Sequence, residues 1–297
     1  MSEPATLVSG GLAWAGSRTA DYLELAKLRV VSMVLVSTAA GFYLGETHSF
    51  DYVRALHLMI GTALAAGGTL ALNQFFERDI DAKMLRTRMR PLPDHRLKPS
   101  EALVFGIITT IAGFVYLWFE VNTMATMVTL AITILYLGAY TPLKRVSTIC
   151  TMVGAIPGAL PPAAGWAAAR GTLGVEALTL FAIMYFWQLP HTLAIAELYR
   201  EDYARANIRL LAIEDPRATR RQIIGNTVVM IAVAVMPTIL GFAGLSYFLI
   251  ALVAGIVMLV YGIRLAASPT TVAARRLLFA SLVYLPLVLL VMVLDKV

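Results

Sequence analysis

Asn73, Glu77 and Asp81 recur at four-residue spacing where an apolar stretch ends in Asn73-Gln-Phe-Phe-Glu77-Arg78-Asp79-Ile80-Asp81. On a helix, positions i, i+4 and i+8 fall within an arc of about 80°, so three oxygen donors share one stripe and Asp79 points elsewhere. A second acidic cluster, Glu197-Leu-Tyr199-Arg200-Glu201-Asp202, closes another apolar stretch, and Asp202 is its expected functional carboxylate. Carboxylates facing one another in apolar surroundings are costly without a counter-charge. Oxygen donors without convergent Cys or His favour Mg²⁺ over zinc, so Asn73, Glu77, Asp81 and Asp202 are the candidate metal ligands. Mg²⁺ held by a few carboxylates keeps positions for phosphate oxygens. Lys83, Arg86 and Arg90 beyond the first cluster, and Arg200 within the second, are the cations that would take the remaining charge of a diphosphate. A diphosphate on a lipid-soluble tail would lie with its head at the membrane face and its chain among the apolar helices. The plainer reading makes these charges a solvated surface. It suits single arginines better than an i, i+4, i+8 array inside a span end.

The elements that must position these residues follow from composition. Of 297 residues, 59% are hydrophobic and 14% charged, against about 25% charged in soluble domains. A membrane protein is therefore expected. Apolar stretches long enough to cross a bilayer run near Leu28–Leu44, Val53–Phe76, Ala102–Phe119, Thr123–Tyr140, Ile149–Ala168, Val175–Leu198, Ile223–Ala243, Tyr247–Ala266 and Leu277–Leu294. Backbone groups in lipid must be satisfied internally, so these are helices, and the fold class is an all-α polytopic bundle of about nine spans. Residues 21–297 form one transmembrane domain and residues 1–20 a cytoplasmic tail without the features of a secretory signal. Pro157, Pro161 and Pro162 remove backbone donors, so the fifth span is expected to be irregular. Assigning alternate loops to two sides leaves only Arg54, Arg170 and Lys296, of 24 lysines and arginines, on one of them. The positive-inside rule puts the other side, with both acidic clusters, in the cytoplasm. The net charge of +6 thus reflects topology rather than nucleic-acid binding. A single cysteine, Cys150, excludes an internal disulfide and a thiolate cluster and reads as a small buried residue. The two acidic clusters end the second and sixth spans on the same side, a weak internal similarity.

At these two stretches the chain resembles the intramembrane prenyltransferase superfamily of UbiA type, with its Asn/Asp-rich motif after the second helix and an Asp motif after the sixth. Asp79 through Pro93, Tyr140-Thr-Pro-Leu-Lys144-Arg145, Gly154 through Pro162 with Gly165-Trp166, and Trp187-Gln-Leu-Pro-His191 through Ala206 resemble its haem-farnesylating branch most closely. The resemblance covers roughly residues 25–290. It implies the intramembrane prenyltransferase fold, Mg²⁺ as cofactor and farnesyl diphosphate and haem b as substrates. The implied reaction transfers farnesyl to a haem vinyl group, with addition of water, giving haem O for haem–copper oxidase biogenesis. It further implies Lys144 and Arg145 as diphosphate contacts, a setting in the lipid of the cell inner membrane, and a haem A synthase as a candidate partner. His191, eleven residues before Asp202 and so about 16 Å away along one continuous helix, would lie deeper in the bundle and hold the haem acceptor, against its reading as a structural histidine. Two departures stand out: Glu77 replaces a frequent Asp, and Ala206 stands where the wider superfamily has a second Asp, which weakens the second metal site. Competing readings are prenylation of a quinone precursor or a chlorophyllide, and secondary transport. Transport would place polar sites nearer the bilayer midplane.

Overall fold

The computed structural model describes residues 18–47 and 49–297. Most of the expected tail, residues 1–17, lies outside the described residues, and residues 18–20 belong to a helical stretch at 18–25. The helices that follow are α1 (Leu28–Gly45), α2 (Tyr52–Asp81), α3 (Pro99–Glu120), α4 (Thr123–Ile134), α5 (Cys150–Ala159), α6 (Pro161–Arg170), α7 (Val175–Leu198), α8 (Arg200–Arg205), α9 (Pro216–Ala234), α10 (Leu245–Ala267) and α11 (Thr271–Leu294). Among the described residues the β structure amounts to one isolated bridge, Ala243 to Lys296.

Eight helices are long and apolar enough to cross a membrane. The ninth expected span is α5 and α6 in line, together about 30 Å long at 1.5 Å per residue. Leu160 between them keeps helical angles, φ −76° and ψ −21°. The break is therefore a loss of hydrogen bonds at Pro161 and Pro162 rather than a turn, while Pro157 sits inside α5 without ending it. Pro142 disturbs the fourth span similarly: α4 passes into a π-helical segment, Leu135–Tyr140, before Thr141–Leu143. Large apolar side chains such as Met33, Ile108, Val253 and Phe279 face outward, as expected where lipid is the solvent.

Small residues set the closest approaches. A methyl group on Gly41 would collide with the Pro162 carbonyl, and one on Gly165 with the Thr38 carbonyl, so α1 and α6 touch backbone to backbone. The helices α2 and α3 meet likewise at Gly68 against Thr110 and Gly113 against Ala65. The second span stays helical through Asp81, past its apolar end near Phe76, so the stripe lies on one helix as its spacing predicts; the sixth does not run unbroken to Asp202. Tyr199, at φ −109° and ψ 26°, separates α7 from α8.

Gly41→Val should separate α1 from α6, because neither colliding atom is a flexible side-chain end. We expect a loss of about 3 kcal/mol or more, at or beyond the upper range for overpacking. Gly225→Ala, with open space at its Cβ position, should be neutral or stabilise by up to about 1 kcal/mol through helix propensity. Thermal unfolding in detergent, followed by tryptophan fluorescence, separates the two outcomes.

Candidate active site

The continuation of α2 through Asp81 turns the acidic stripe inward. Asn73, Glu77 and Asp81 are 1%, 7% and 1% exposed, whereas the Asp79 side chain is 76% exposed beside Arg78. All three inward groups line a cavity of about 420 Å³ enclosed by α1, α2, α4, α5, α6 and α7. Each polar group meets a cation or hydroxyl from another element. Asn73 Oδ1 accepts from Lys27 Nζ at 3.0 Å and from the Tyr136 hydroxyl at 3.5 Å, and its Nδ2 donates to Thr141 Oγ1 at 3.2 Å. Glu77 Oε1 pairs with Lys144 Nζ at 2.7 Å, and Asp81 Oδ2 with Arg90 Nη1 at 2.5 Å.

The partners are placed by local structure. Lys27 adopts a left-handed conformation, φ 53° and ψ 56°, at the junction of the 18–25 helix and α1. The Gln74 amide donates to the Leu25 and Glu24 carbonyls at 2.8 and 3.2 Å, fixing the end of that helix. Arg96, from the loop after α2, bonds Asp21, Glu24, Asp94 and the Met89 carbonyl, tying the same helix down from above. Lys144 follows the π-helical segment, and its ammonium lies 4.3 Å from the Tyr140 ring centroid.

Electrostatics give the cavity head an anion-seeking character. Burial, then repulsion by Arg90 and Lys144, push the Lys27 ammonium down to about 7, although Glu77 and Asp81 oppose this. Burial also acts to lower Lys144, but the Tyr140 oxygen, Glu77 and Tyr136 outweigh it and hold the ammonium well above its ordinary range. Lys27, Lys144, Arg86 and Arg90 thus surround two carboxylates on the cavity wall. An arriving anion would relieve their mutual repulsion. The deeper lining is apolar or weakly polar: Val30, Val34, Ala65, Ile132, Pro161 and Ala164. Along α2 the lining runs from Asp81 to Thr62, about 28 Å at 1.5 Å per residue.

Other expected residues stand elsewhere. Asp202 does not line this cavity. Its carboxylate accepts from the backbone amides of Leu85 and Arg86, both at 3.1 Å, and from Arg205. Burial acts to raise its pKa, but the bonds from Arg205 and the two amides outweigh this and hold it below the usual carboxylate range. Arg86, on the loop so fastened, lies over the Tyr199 and Tyr203 rings at 5.4 and 5.7 Å and lines the cavity. Lys83, Arg145 and Arg200 are exposed and outside the cavity lining. His191 faces α11: its Nδ1 lies 2.8 Å from Ser281 Oγ, which donates to the Leu278 carbonyl at 2.6 Å. The serine oxygen therefore accepts from Nδ1–H, leaving Nε2 as the bare nitrogen. The ring stacks on Trp187, whose Nε1 donates to the Ser281 carbonyl at 2.8 Å.

Sequence reasoning missed Lys27, Tyr136 and Thr141. Lys27 counted only as a topological charge, and its signal was a lone lysine at the mouth of the first span. The tyrosine and threonine lie in or beside the Tyr140-Thr-Pro-Leu-Lys144 stretch, where Pro142 marks the irregular backbone that turns them inward.

Replacing Asp202 by Ala should free the Leu85 and Arg86 amides. Losing a charge-assisted bond of about 1.5–3 kcal/mol should speed amide exchange there by at least tenfold, measured by hydrogen–deuterium exchange mass spectrometry. Unchanged protection over residues 83–90 would show that the loop holds itself.

The comparisons with known proteins give the family and the fold. Residues 34–283 match the model of the UbiA prenyltransferase family. A protoheme IX farnesyltransferase from Solibacter usitatus is 45% identical, covering 93% of this chain and 98% of the relative. One from Koribacter versatilis is 39% identical over 100% and 98%. Among solved structures, a digeranylgeranylglyceryl phosphate synthase superposes with a TM-score of 0.77 at 18% identity, covering 94% of this chain and 98% of the other. A UbiA homologue from Archaeoglobus fulgidus bound to GPP and Mg²⁺ gives 0.64 at 15% identity, over 92% and 99%. The chain is thus an integral membrane protein that belongs to the UbiA prenyltransferase family, in which these curated relatives are protoheme IX farnesyltransferases.

Proposed function

We propose that the protein transfers the farnesyl group of farnesyl diphosphate to a vinyl group of haem b, with addition of water, to give haem O. The observation that carries this is the graded cavity: oxygen donors and four cations at one end, a long apolar lining at the other. The relatives' shared name supplies the acceptor and the prenyl length.

The donor set suits a hard divalent cation. Asn73, Glu77 and Asp81 offer oxygen alone on one wall, and the described residues contain no cluster of three or more Asp, Glu, His or Cys that would hold a metal unaided. That matches Mg²⁺, which takes one or two carboxylates together with substrate phosphates. When bound, it would neutralise charge on the leaving diphosphate. Lys144, Arg90, Lys27 and Arg86 then bind diphosphate oxygens and stabilise the same charge in a water-poor site. The Tyr136 and Tyr140 rings, with centroids 5.3 Å apart, line the cavity, and aromatic rings stabilise a nearby cation such as the allylic one formed here. The vinyl group needs no general base to attack. Asp202 serves this site by fastening the loop that carries Arg86 and Arg90. A direct metal contact by Asp202 would require its two amide bonds to open. His191, with Nε2 bare, is the candidate haem contact on the α7–α11 side.

The acidic loops face the cytoplasm of the cell inner membrane in this reading, because the basic residues gather on that side. Cysteines placed at positions 88 and 209 in a Cys150→Ser background should both react from the cytoplasmic side. Labelling from opposite sides would refute the shared face.

Purified protein given farnesyl diphosphate, Mg²⁺ and haem b should form haem O, read by mass spectrometry of extracted porphyrins. Prenylation of a quinone precursor alone would assign it to another branch, and counterflow without product to a transporter. Asp81→Asn and Lys144→Met should each lower turnover by about 10²-fold or more, the scale for losing one group that stabilises transition-state charge. Asp79→Asn, on the exposed side of α2, should stay within a few-fold of wild type.

A further inference from the structure

Gln188 belongs to the cavity wall on α7, yet no step above uses it. Its amide oxygen is buried and has no donor within the protein. The fold makes room for this amide. A methyl group on Gly158 would collide with all three amide heavy atoms, so glycine there is what lets the side chain lie against α5. The nearest hydroxyl on the same helix is already committed, since Thr192 donates to the Gln188 and Leu189 carbonyls at 2.8 and 3.1 Å.

Depth places the amide beside the reacting carbons. The Tyr140 ring, which carries the Lys144 ammonium, packs against Gly154. Gln188 packs against Gly158, four residues further along the same helix and so about 6 Å deeper. A diphosphate held by Lys144 would thus bring the carbon it leaves to the level of this amide. An amide oxygen only accepts hydrogen bonds. A farnesyl chain, a diphosphate and a porphyrin with ionised propionates offer it no O–H or outward N–H. Water does.

We infer that Gln188 holds the water molecule that adds during the reaction. This rests on the haem-farnesylating reading above. The C1–O bond of farnesyl diphosphate breaks and its electron pair leaves with the diphosphate. The vinyl π pair forms the new C–C bond and leaves a cation on the ring-side vinyl carbon. A lone pair of the held water forms the C–O bond there. The surplus proton passes to the departed diphosphate, the strongest base in the cavity. Without a held water the same cation sheds a proton from the neighbouring carbon and becomes an alkene, lighter than the alcohol by one water. Gln188 thereby sets which of two products forms, not whether farnesyl is transferred.

The test is the ratio of alcohol to alkene among farnesylated porphyrins, by mass spectrometry, in isotope-labelled water. Wild type should give mostly alcohol carrying the label. Gln188→Leu should raise the alkene share by about tenfold, the effect of one lost hydrogen bond near 1.4 kcal/mol, with total farnesyl transfer within a few-fold. Gly158→Ala keeps the glutamine but displaces its amide, and should shift the ratio the same way even where Gln188→Leu fails to fold. An unchanged ratio in a folded, active Gln188→Leu or Gly158→Ala protein overturns the inference and leaves farnesyl transfer standing. Absence of any farnesylated porphyrin from wild type overturns the haem-farnesylating reading itself.

Discussion

Burying the stripe Asn73–Glu77–Asp81 is the constraint on which the rest of the molecule turns. A carboxylate taken out of water without a partner costs several kcal/mol. Here two of them and an amide sit at the inner face of a membrane helix. Lys27 reaches them from the start of α1, Lys144 from the end of the fourth span and Arg90 from the loop after α2. None of these partners comes from the stripe's own helix. The left-handed backbone at Lys27, the π-helical segment before Lys144 and the folded loop carrying Arg90 each deliver one cation to one member of the stripe, Asn73, Glu77 and Asp81 in turn. The cluster keeps a surplus of cations, whose mutual repulsion an anion would relieve.

Keeping a cavity open beside this cluster requires tight packing elsewhere. Protein interiors normally close-pack. The contacts between α1 and α6, and between α2 and α3, are backbone-to-backbone at Gly41, Gly165, Gly68 and Gly113. Those pairs behave as rigid walls. Prolines interrupt the lining pair α5 and α6 at their junction, and Pro157, Gly158 and Pro161 all line the cavity. The carbonyls that lose partners at the break line a cavity rather than lipid, as membrane burial demands.

Much of this was legible beforehand because membrane helices have a strong compositional signature. The eight long apolar helices, the irregular stretch near Pro161 and the single polar stripe on α2 all follow from apolar length, proline placement and periodicity. Asp79 was separable from its neighbours by angle alone. What stayed hidden depended on tertiary geometry. The sequence contains Lys27 as one lysine among many, and nothing local says that a left-handed turn aims it at Asn73. Arg145 and Lys144 are adjacent cations, yet one is buried against Glu77 and the other exposed, a choice made by the helical phase after the π-helical segment. The expectation of one helix from His191 to Asp202 missed the break at Tyr199, because Tyr199-Arg-Glu-Asp carries no proline or glycine to announce it.

That break explains why two similar-looking acidic clusters do different work. The first lies inside a continuous helix, where backbone amides are already bonded and its side chains are free to face a cavity. In the second, Glu201 and Asp202 follow a break in the helix at Tyr199. They belong to a separate short helix, α8, docked against the loop after α2. The Leu85 and Arg86 amides there need acceptors, and Asp202 supplies both of its oxygens to them. With Ala206 one turn further on, no second acid remains to turn toward the cavity. Charge placed in a continuous helix thus becomes a cavity-facing group, and charge placed beside unpaired backbone becomes a fastening. The fastening still reaches the cavity, because the loop it holds is the one that carries Arg86 and Arg90.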